Sequence, residues 1–254
     1  MSRSVLRGSA IQAEIRKSQS AMQTAAGATK PTSASKKSPG TAAKNGPNAS
    51  QGKAGALPAA KGAGEVRIIG GQWRRTRLPV AHHPGLRPTP DRVRETLFNW
   101  LGQDMTGWHC VDAFAGTGAL GLEAASRGAA SVVLVESDPS LVAQLQRLQE
   151  KLQARQVRVQ RGDGVSALRQ CAAASVHLVL LDPPFDGPWF EPALQAATAA
   201  VAADGYVYLE APRLWTDADL QTLGLPLVVH RHLKAGAVHA HLLRPQVQGG
   251  ARGA

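Results

Sequence analysis

The chain has 254 residues, 43% of them hydrophobic, with a formal charge of +11, which is enough apolar content for one catalytic-sized core. No run approaches about 18 apolar residues, so no membrane span is expected, and the two cysteines, Cys110 and Cys171, lack a neighbouring Cys or His at ligand spacing, which argues against a disulfide framework or a zinc site. The charge is unevenly placed: residues 1–64 hold ten Lys or Arg against one acid, 65–100 seven against three, and the rest twelve against fourteen, so a basic surface precedes a nearly neutral fold.

Residues 1–64 contain no aromatic side chain and are dominated by Ala, Ser, Lys, Gly and Pro. They cannot bury enough apolar surface to offset the entropy of ordering, and a disordered basic tail is expected. Arg3, Arg7, Arg16 and Lys17 also give the first thirty residues a faint likeness to an organelle-targeting peptide, whereas a secretory signal is excluded by the lack of an apolar core segment. Residues 65–89 form an arginine-rich extension. Val66–Ile69 and Gln72–Leu78 flank Gly70-Gly71 as a hairpin, and Arg67, Arg74, Arg75 and Arg77 cluster beside Trp73, a surface suited to a phosphate backbone. An α/β domain over 90–245 follows, with a flexible end at 246–254.

That domain opens with a helix from Pro90 to about Gln103, capped by Thr89 and burying Val93, Leu97, Trp100 and Leu101. Seven strands are predicted at 109–114, 131–136, 156–160, 176–182, 205–210, 226–233 and 237–243, with helices at 119–127, 139–154, 164–173, 189–202 and 216–223. Alternation implies a parallel sheet with right-handed crossovers. Only Lys234-Ala235-Gly236 joins the last two strands, too short for a crossover, so they pair antiparallel. A Rossmann-like, seven-stranded, mostly parallel sheet with one reversed strand is the outline of the class I methyltransferases that use S-adenosylmethionine.

The run Val111 to Gly121, V-D-A-F-A-G-T-G-A-L-G, places glycines between a strand and a helix, where a ligand can approach bare backbone beside the helix N-terminus. Gly116, Gly118 and Gly121 also match the dinucleotide fingerprint, and Glu136 stands twenty residues beyond Gly116, where a ribose-binding acid belongs. A nicotinamide-dependent dehydrogenase is therefore open on this motif alone. Asp112 tilts the choice: it would repel a pyrophosphate but suits the ammonium and sulfonium of S-adenosylmethionine. Asp163 adds an acid suited to an adenine amine, and the segment also reads as a plain turn and helix cap. The expected cofactor set is Asp112, Phe114, Gly116, Gly118, Glu136 and Asp163.

Asp182-Pro183-Pro184-Phe185 follows the apolar run Val176–Leu181. An exocyclic amine is a poor nucleophile because its lone pair is delocalised into the base. Hydrogen bonds from its N–H groups to the Asp182 carboxylate and the Pro183 carbonyl would favour a pyramidal nitrogen aimed at a methyl donor. The prolines fix that carbonyl, and Phe185 offers a stacking face. Cys110 reads as a small buried hydrophobe, and the alternating His230, His232, His239 and His241 as a solvated sheet face rather than a metal site.

Taken together, these residues resemble the RsmD family, bacterial enzymes that methylate the N2 amine of one guanine in 16S ribosomal RNA. R-I-I-G-G-Q-W-R at Arg67–Arg74, G-L-R-P-T-P-D-R-V-R-E-T-L-F-N-W-L at Gly85–Leu101, D-A-F-A-G-T-G-A-L-G-L-E-A at Asp112–Ala124 and the segment Asp182–Phe185 agree in order and spacing. The resemblance implies that Asp112, Gly116 and Gly118 line the cofactor pocket, that Glu136 binds the ribose, and that Asp182 to Phe185 hold the guanine. It places Arg87, Thr89, Arg92 and Arg94 near RNA at the pocket mouth. It implies a cytoplasmic, metal-free enzyme, expected to be a monomer, acting on a partly or fully assembled small subunit by direct methyl displacement. A DNA or RNA adenine-N6 methyltransferase, or an inactive RNA-binding protein of the same fold, are the alternatives. The basic tail lies outside the family pattern, and Gly236 to His241 occupies a segment where the family usually carries a tyrosine.

Overall fold

The computed structural model describes residues 64–80 and 89–246. The expected tail, the segment 81–88 with Arg87, and residues 247–254 lie outside the described residues. The extension contributes β1 (Glu65–Arg67) and β2 (Arg77–Pro79), an antiparallel pair in which Val66 faces Leu78. The helix α1 (Asp91–Leu101) leads to β3 (His109–Asp112), α2 (Ala119–Ser126), β4 (Ser131–Glu136), α3 (Pro139–Lys151), β5 (Val157–Arg161), α4 (Gly164–Arg169), β6 (Val176–Leu181) and α5 (Phe190–Ala200). The chain closes with β7 (Val201–Ala211), α6 (Asp217–Thr222), β8 (Leu227–Ala235) and β9 (Val238–Pro245).

The large sheet has the order β5-β4-β3-β6-β7-β9-β8. Pairing is parallel from β5 through β7, while β9 runs antiparallel to both β7 and β8, which is the class I methyltransferase topology. Its winding reverses between β3 and β6, and the crevice above the carboxyl ends of two such strands is where open α/β sheets bind ligands.

Local chemistry explains the elements. Asp138 accepts the Ser140 and Leu141 amides with Pro139 at the first helical position, so α3 starts there and buries Leu141, Val142, Leu145 and Leu148. The central strand β6 reads V-H-L-V-L-L and is buried almost throughout, as a strand covered on both faces must be. One layer packs Leu178, Leu180 and Tyr208 against α1, α2 and α3. The other packs Val179, Leu181, Val207 and Leu209 against α4, α5 and α6. Val66, Ile68, Leu78 and Val80 of the extension join the first layer, so this segment is a continuation of the core and not a free arm.

Several expectations are corrected. Thr89 does not cap α1: the cap position falls on Pro90, without a side-chain hydrogen bond, because the Thr89 hydroxyl is drawn to Glu210. The buried face of α1 is Val93, Arg94, Leu97 and Phe98, with Trp100 and Leu101 only half-buried. The last hairpin turns at Gly236-Ala237, since Ala235 already pairs with Val238 and Gly236 takes a positive φ of 62°. His241 is fully buried, so the histidines do not share one solvated face.

Candidate active site

Parallel pairing sets Asp112 of β3 opposite Leu180 of β6, so the acid at the end of β3 and Asp182 emerge at the same edge of the sheet. The Ala113 amide donates to the Leu180 carbonyl and the Ala115 amide to that of Val135, tying the glycine loop across three strand ends. Gly116 and Gly118 hold φ of 51° and 79°, values that side chains resist. A Cβ on Gly118 would lie 2.7 Å from Leu145 Cδ2, and one on Gly121 would lie 2.2 Å from Leu134 Cδ2. The loop glycines thus serve both turning and close helix packing. The Glu136 carboxylate accepts the Gly116 amide at 2.9 Å and the Asp138 amide at 2.9 Å, which places it on the rim of this loop.

Asp112 is buried. One oxygen accepts the Gly121 amide at 2.9 Å, and Oδ1 has no hydrogen-bond partner. Burial, reinforced by Glu136 and Glu210, pushes its carboxyl up to about 7 against the opposing Gly121 bond and the nearby Phe114 amide. A buried, half-satisfied acid is costly to ionise alone, and an ammonium group is the donor it lacks. That orphan oxygen is the feature that fits a cationic ligand such as the amino acid end of S-adenosylmethionine. Phe114 beside it is half-buried. Asp163 caps α4 by accepting the Ser166 amide at 2.7 Å, so the plain helix-cap reading of this residue is realised while its exposed side remains open to a ligand. Gly164 next to it packs so tightly on the backbone just past β3 that a Cβ would meet the Ala113 carbonyl oxygen at 2.0 Å.

Asp182 is half-buried, Pro183 is buried, and Pro184 and Phe185 are exposed. Phe185 is 41% exposed, and its ring meets that of Phe190 with centres 6.3 Å apart. Phe190 in turn meets Trp215, which Arg213 covers at 4.1 Å, so the exposed ring is the outer member of an aromatic row.

Sequence reasoning missed the partner of Asp182. Since Leu181 pairs with Leu209, the next residues, Asp182 and Glu210, end neighbouring strands side by side. Glu210 is buried, accepting the Thr89 hydroxyl at 2.6 Å and the Tyr208 hydroxyl at 2.9 Å. Burial first, then Glu210 and Asp112, hold the Asp182 carboxyl well above the ordinary range, and the Thr89 hydroxyl opposes this. Burial also raises Glu210, against its two hydroxyl donors. Thr89 has one proton and two carboxyls to serve, so the pair retains a proton at pH values where isolated acids would have lost theirs. The signal available beforehand was an acid closing the apolar run Val207-Tyr208-Leu209.

The arginines divide. Arg67, Arg74, Arg75, Arg77 and Arg92 are exposed and Trp73 is half-buried; Arg67 meets Asp91 at 3.6 Å and Arg77 meets Glu65 at 2.9 Å, exposed pairs of little energetic weight. Arg94 is wholly buried, donating to Asp91 at 2.5 Å, to the Thr89 carbonyl at 3.2 Å and to Glu123 at 3.5 Å. It is a structural ion-pair partner and cannot reach RNA, which corrects its expected role. Thr89 is likewise buried and belongs to the acid pair, not to an RNA surface. Cys110 is buried with its thiol pushed up to about 12 by burial and Asp112, as befits a core residue.

Glu123 explains the N-terminal segment. Its two oxygens accept the Ile69 and Gly70 amides at 2.7 Å each, while Arg127 donates to it at 2.7 and 2.9 Å and lies 4.7 Å over the Phe98 ring. Ser126 accepts the Trp73 amide and donates to the Gly70 carbonyl.

The family described as conserved hypothetical protein 95 matches residues 66–244. Ribosomal RNA small subunit methyltransferase D of Escherichia coli (strain K12) is 40% identical over 194 residues, covering 76% of this chain and 96% of the relative. The protein of the same name from Haemophilus influenzae is 45% identical over 125 residues, 48% of this chain and 65% of that relative. Among solved structures, the yhhF protein of Escherichia coli is 36% identical, covers 73% of this chain and 100% of that chain, and superposes with a TM-score of 0.62.

Proposed function

Because the chain belongs to the family of ribosomal RNA small subunit methyltransferase D, we propose that it methylates the exocyclic N2 amine of a guanine in 16S ribosomal RNA, using S-adenosylmethionine. The observation that carries this reading is the Asp182-Pro183-Pro184-Phe185 corner at the end of β6, beside the glycine loop and the orphaned Asp112 oxygen. Bound S-adenosylmethionine supplies a methyl group made electrophilic by its sulfonium. Asp112 would hold its amino acid end and Glu136 its ribose, with Phe114, Gly116, Gly118 and Asp163 completing the pocket.

Asp182 accepts one amine N–H and the Pro183 carbonyl the other, so the nitrogen lone pair turns out of conjugation toward the donor. Phe185 stacks on the base, a contact worth about 1–3 kcal/mol in single-strand recognition. As the N–C bond forms, the methyl–sulfur bond would break and S-adenosylhomocysteine would leave as a neutral thioether; the nitrogen becomes strongly acidic, and its proton passes to solvent or transiently to Asp182. No strong base is needed. The exposed Arg67, Arg74, Arg75, Arg77 and Arg92, with Trp73, supply the phosphate-facing surface. A cytoplasmic monomer acting on a partly or fully assembled small subunit fits this chemistry.

The test is nucleoside analysis of small subunits from cells lacking the enzyme, after incubation with labelled cofactor. N2-methylguanosine is expected, and Asp182→Asn should lower turnover by roughly 10²–10³-fold with cofactor affinity little changed. Recovery of N6-methyladenosine would replace guanine by adenine as the target. Cofactor-free RNA binding without transfer would make the protein a non-catalytic binder.

A further inference from the structure

The hairpin β8–β9 carries a cluster that the methyl-transfer reading leaves unused. His232 on β8 is the cross-strand partner of His241 on β9, and His239, two residues before His241, projects from the same sheet face. The three rings converge. Their centres are 5.2 Å (His232–His239), 4.9 Å (His232–His241) and 6.3 Å (His239–His241) apart, and one nitrogen from each lies within 4.8 Å of the other two. Among the described residues this is the only such group of His, Cys, Asp or Glu.

We propose that His232, His239 and His241 form a three-histidine site for a divalent transition-metal ion of the zinc class. Three imidazoles bound tetrahedrally with Zn–N near 2.0–2.1 Å have ring centres about 5.2 Å apart and nitrogens about 3.3 Å apart. The observed ring spacings bracket the first figure, and His232 Nε2 stands 3.0 Å from His239 Nδ1, close to the second. The ion needs neutral imidazoles. Three imidazoles with no carboxylate among them make a nitrogen set that suits zinc, nickel or copper and not calcium or magnesium.

His241 is also held as a ligand should be. Its Nδ1 faces the Leu209 carbonyl at 3.3 Å, and a ring N–H donated to a backbone carbonyl is the usual outer bond of a metal-bound histidine. The remaining lone pair, on Nε2, accepts the Trp215 amide at 3.0 Å. An ion at Nε2 must displace that amide. Metal occupancy and the Trp215 hydrogen bond therefore exclude each other, which links the site to the segment that carries Trp215 into the aromatic row behind Phe185.

The pairing of His239 with Ala211, just past Glu210, puts the cluster at the same end of the sheet as Asp182.

The experiment uses the full chain without an affinity tag, titrated with Zn²⁺ alone against a chromophoric chelator, beside His232→Ala/His239→Ala. Both substitutions fall at or near the surface, and circular dichroism checks that the fold is kept. One equivalent of zinc, weakened at least tenfold in the variant, is expected, together with faster deuterium uptake over residues 212–216 on adding zinc to the wild type only. Equal zinc binding by both proteins, or none by either, overturns the site. Zinc binding that leaves uptake at 212–216 unchanged overturns the assignment of His241 as third ligand.

Discussion

Asp182 and Glu210 show how one residue's ionisation can be set by another's. Both are raised, chiefly by burial, and Glu210 further raises Asp182. Replacing Glu210 by Gln removes a negative neighbour while keeping a group that can meet Thr89 and Tyr208. The folded-state value of Asp182 should fall, so it stays ionised to lower pH, and the acidic limb of kcat/KM should move to lower pH. A limb that stays in place would deny the coupling. Asp112 makes the complementary prediction. Its carboxyl, raised to about 7, ionises against an ammonium ligand, so cofactor affinity measured by calorimetry should strengthen as pH rises from about 5 to 8 and proton release should accompany binding. The same shift bears on stability. A group bound to its proton more tightly in the folded state destabilises the fold progressively as pH climbs from 3.8 toward 7, and denaturant midpoints of the cofactor-free protein should fall over that window; Asp112→Asn should flatten both trends. The place of Asp112 was legible because the acid closes an apolar run four residues before Gly116, and it does end β3 beside the glycine loop. Glu210 was not legible, since only the register of β6 against β7 sets it beside Asp182, and its hydroxyl donor Thr89 stands 121 residues away.

Strands and helices were read from sequence wherever periodicity alone determines them: β4 and β6 are apolar runs between turn signals, and α3 carries its apolar face in the thirteen residues that follow its cap Asp138. What could not be read were the places where tertiary demand overrides a local rule. Thr89 has the chemistry of a cap but is claimed by Glu210, and Arg94 looks like a surface cation but neutralises Glu123. Two stretches that had stood as separate motifs prove to be two halves of one joint, in which Gly70-Gly71 can dock only because α2 presents Glu123 and Ser126. A Cβ on Gly71, whose φ is 71°, would lie 1.8 Å from the Ser126 carbonyl oxygen. Gly71→Ala should thus loosen the extension, with faster amide exchange at Ile69 and Gly70 and a loss of about 1–3 kcal/mol, read as a lower denaturant midpoint. An unchanged exchange rate would show the joint to be dispensable.

At the level of the whole molecule, the positive charge and the chemistry are carried by different parts. Residues 1–63 hold ten basic side chains and one acid, while the core begins with Gly64, whose carbonyl accepts the Val80 amide. Removing residues 1–63 should leave the thermal midpoint within about 2 °C, a change of well under 1 kcal/mol for a domain of this size. RNA affinity should drop at low salt, and the difference should shrink as ionic strength rises, because dissolved salt screens the attraction between basic side chains and phosphates. A truncated protein that fails to fold would move the domain boundary upstream.

The Glu123 joint also has a temporal side. Ile69 and Gly70 precede their anchor by 54 and 53 residues, so at roughly 5–20 residues per second the glycine segment leaves the ribosome several seconds before anything exists to receive it. Until α2 emerges, the Ile69 and Gly70 amides lack the Glu123 carboxylate that accepts them, and Val66, Ile68 and Leu78 lack the α2 side of the layer they join. Chaperone contact with the nascent chain should therefore be concentrated in that interval, and it should end when Glu123 clears the exit tunnel.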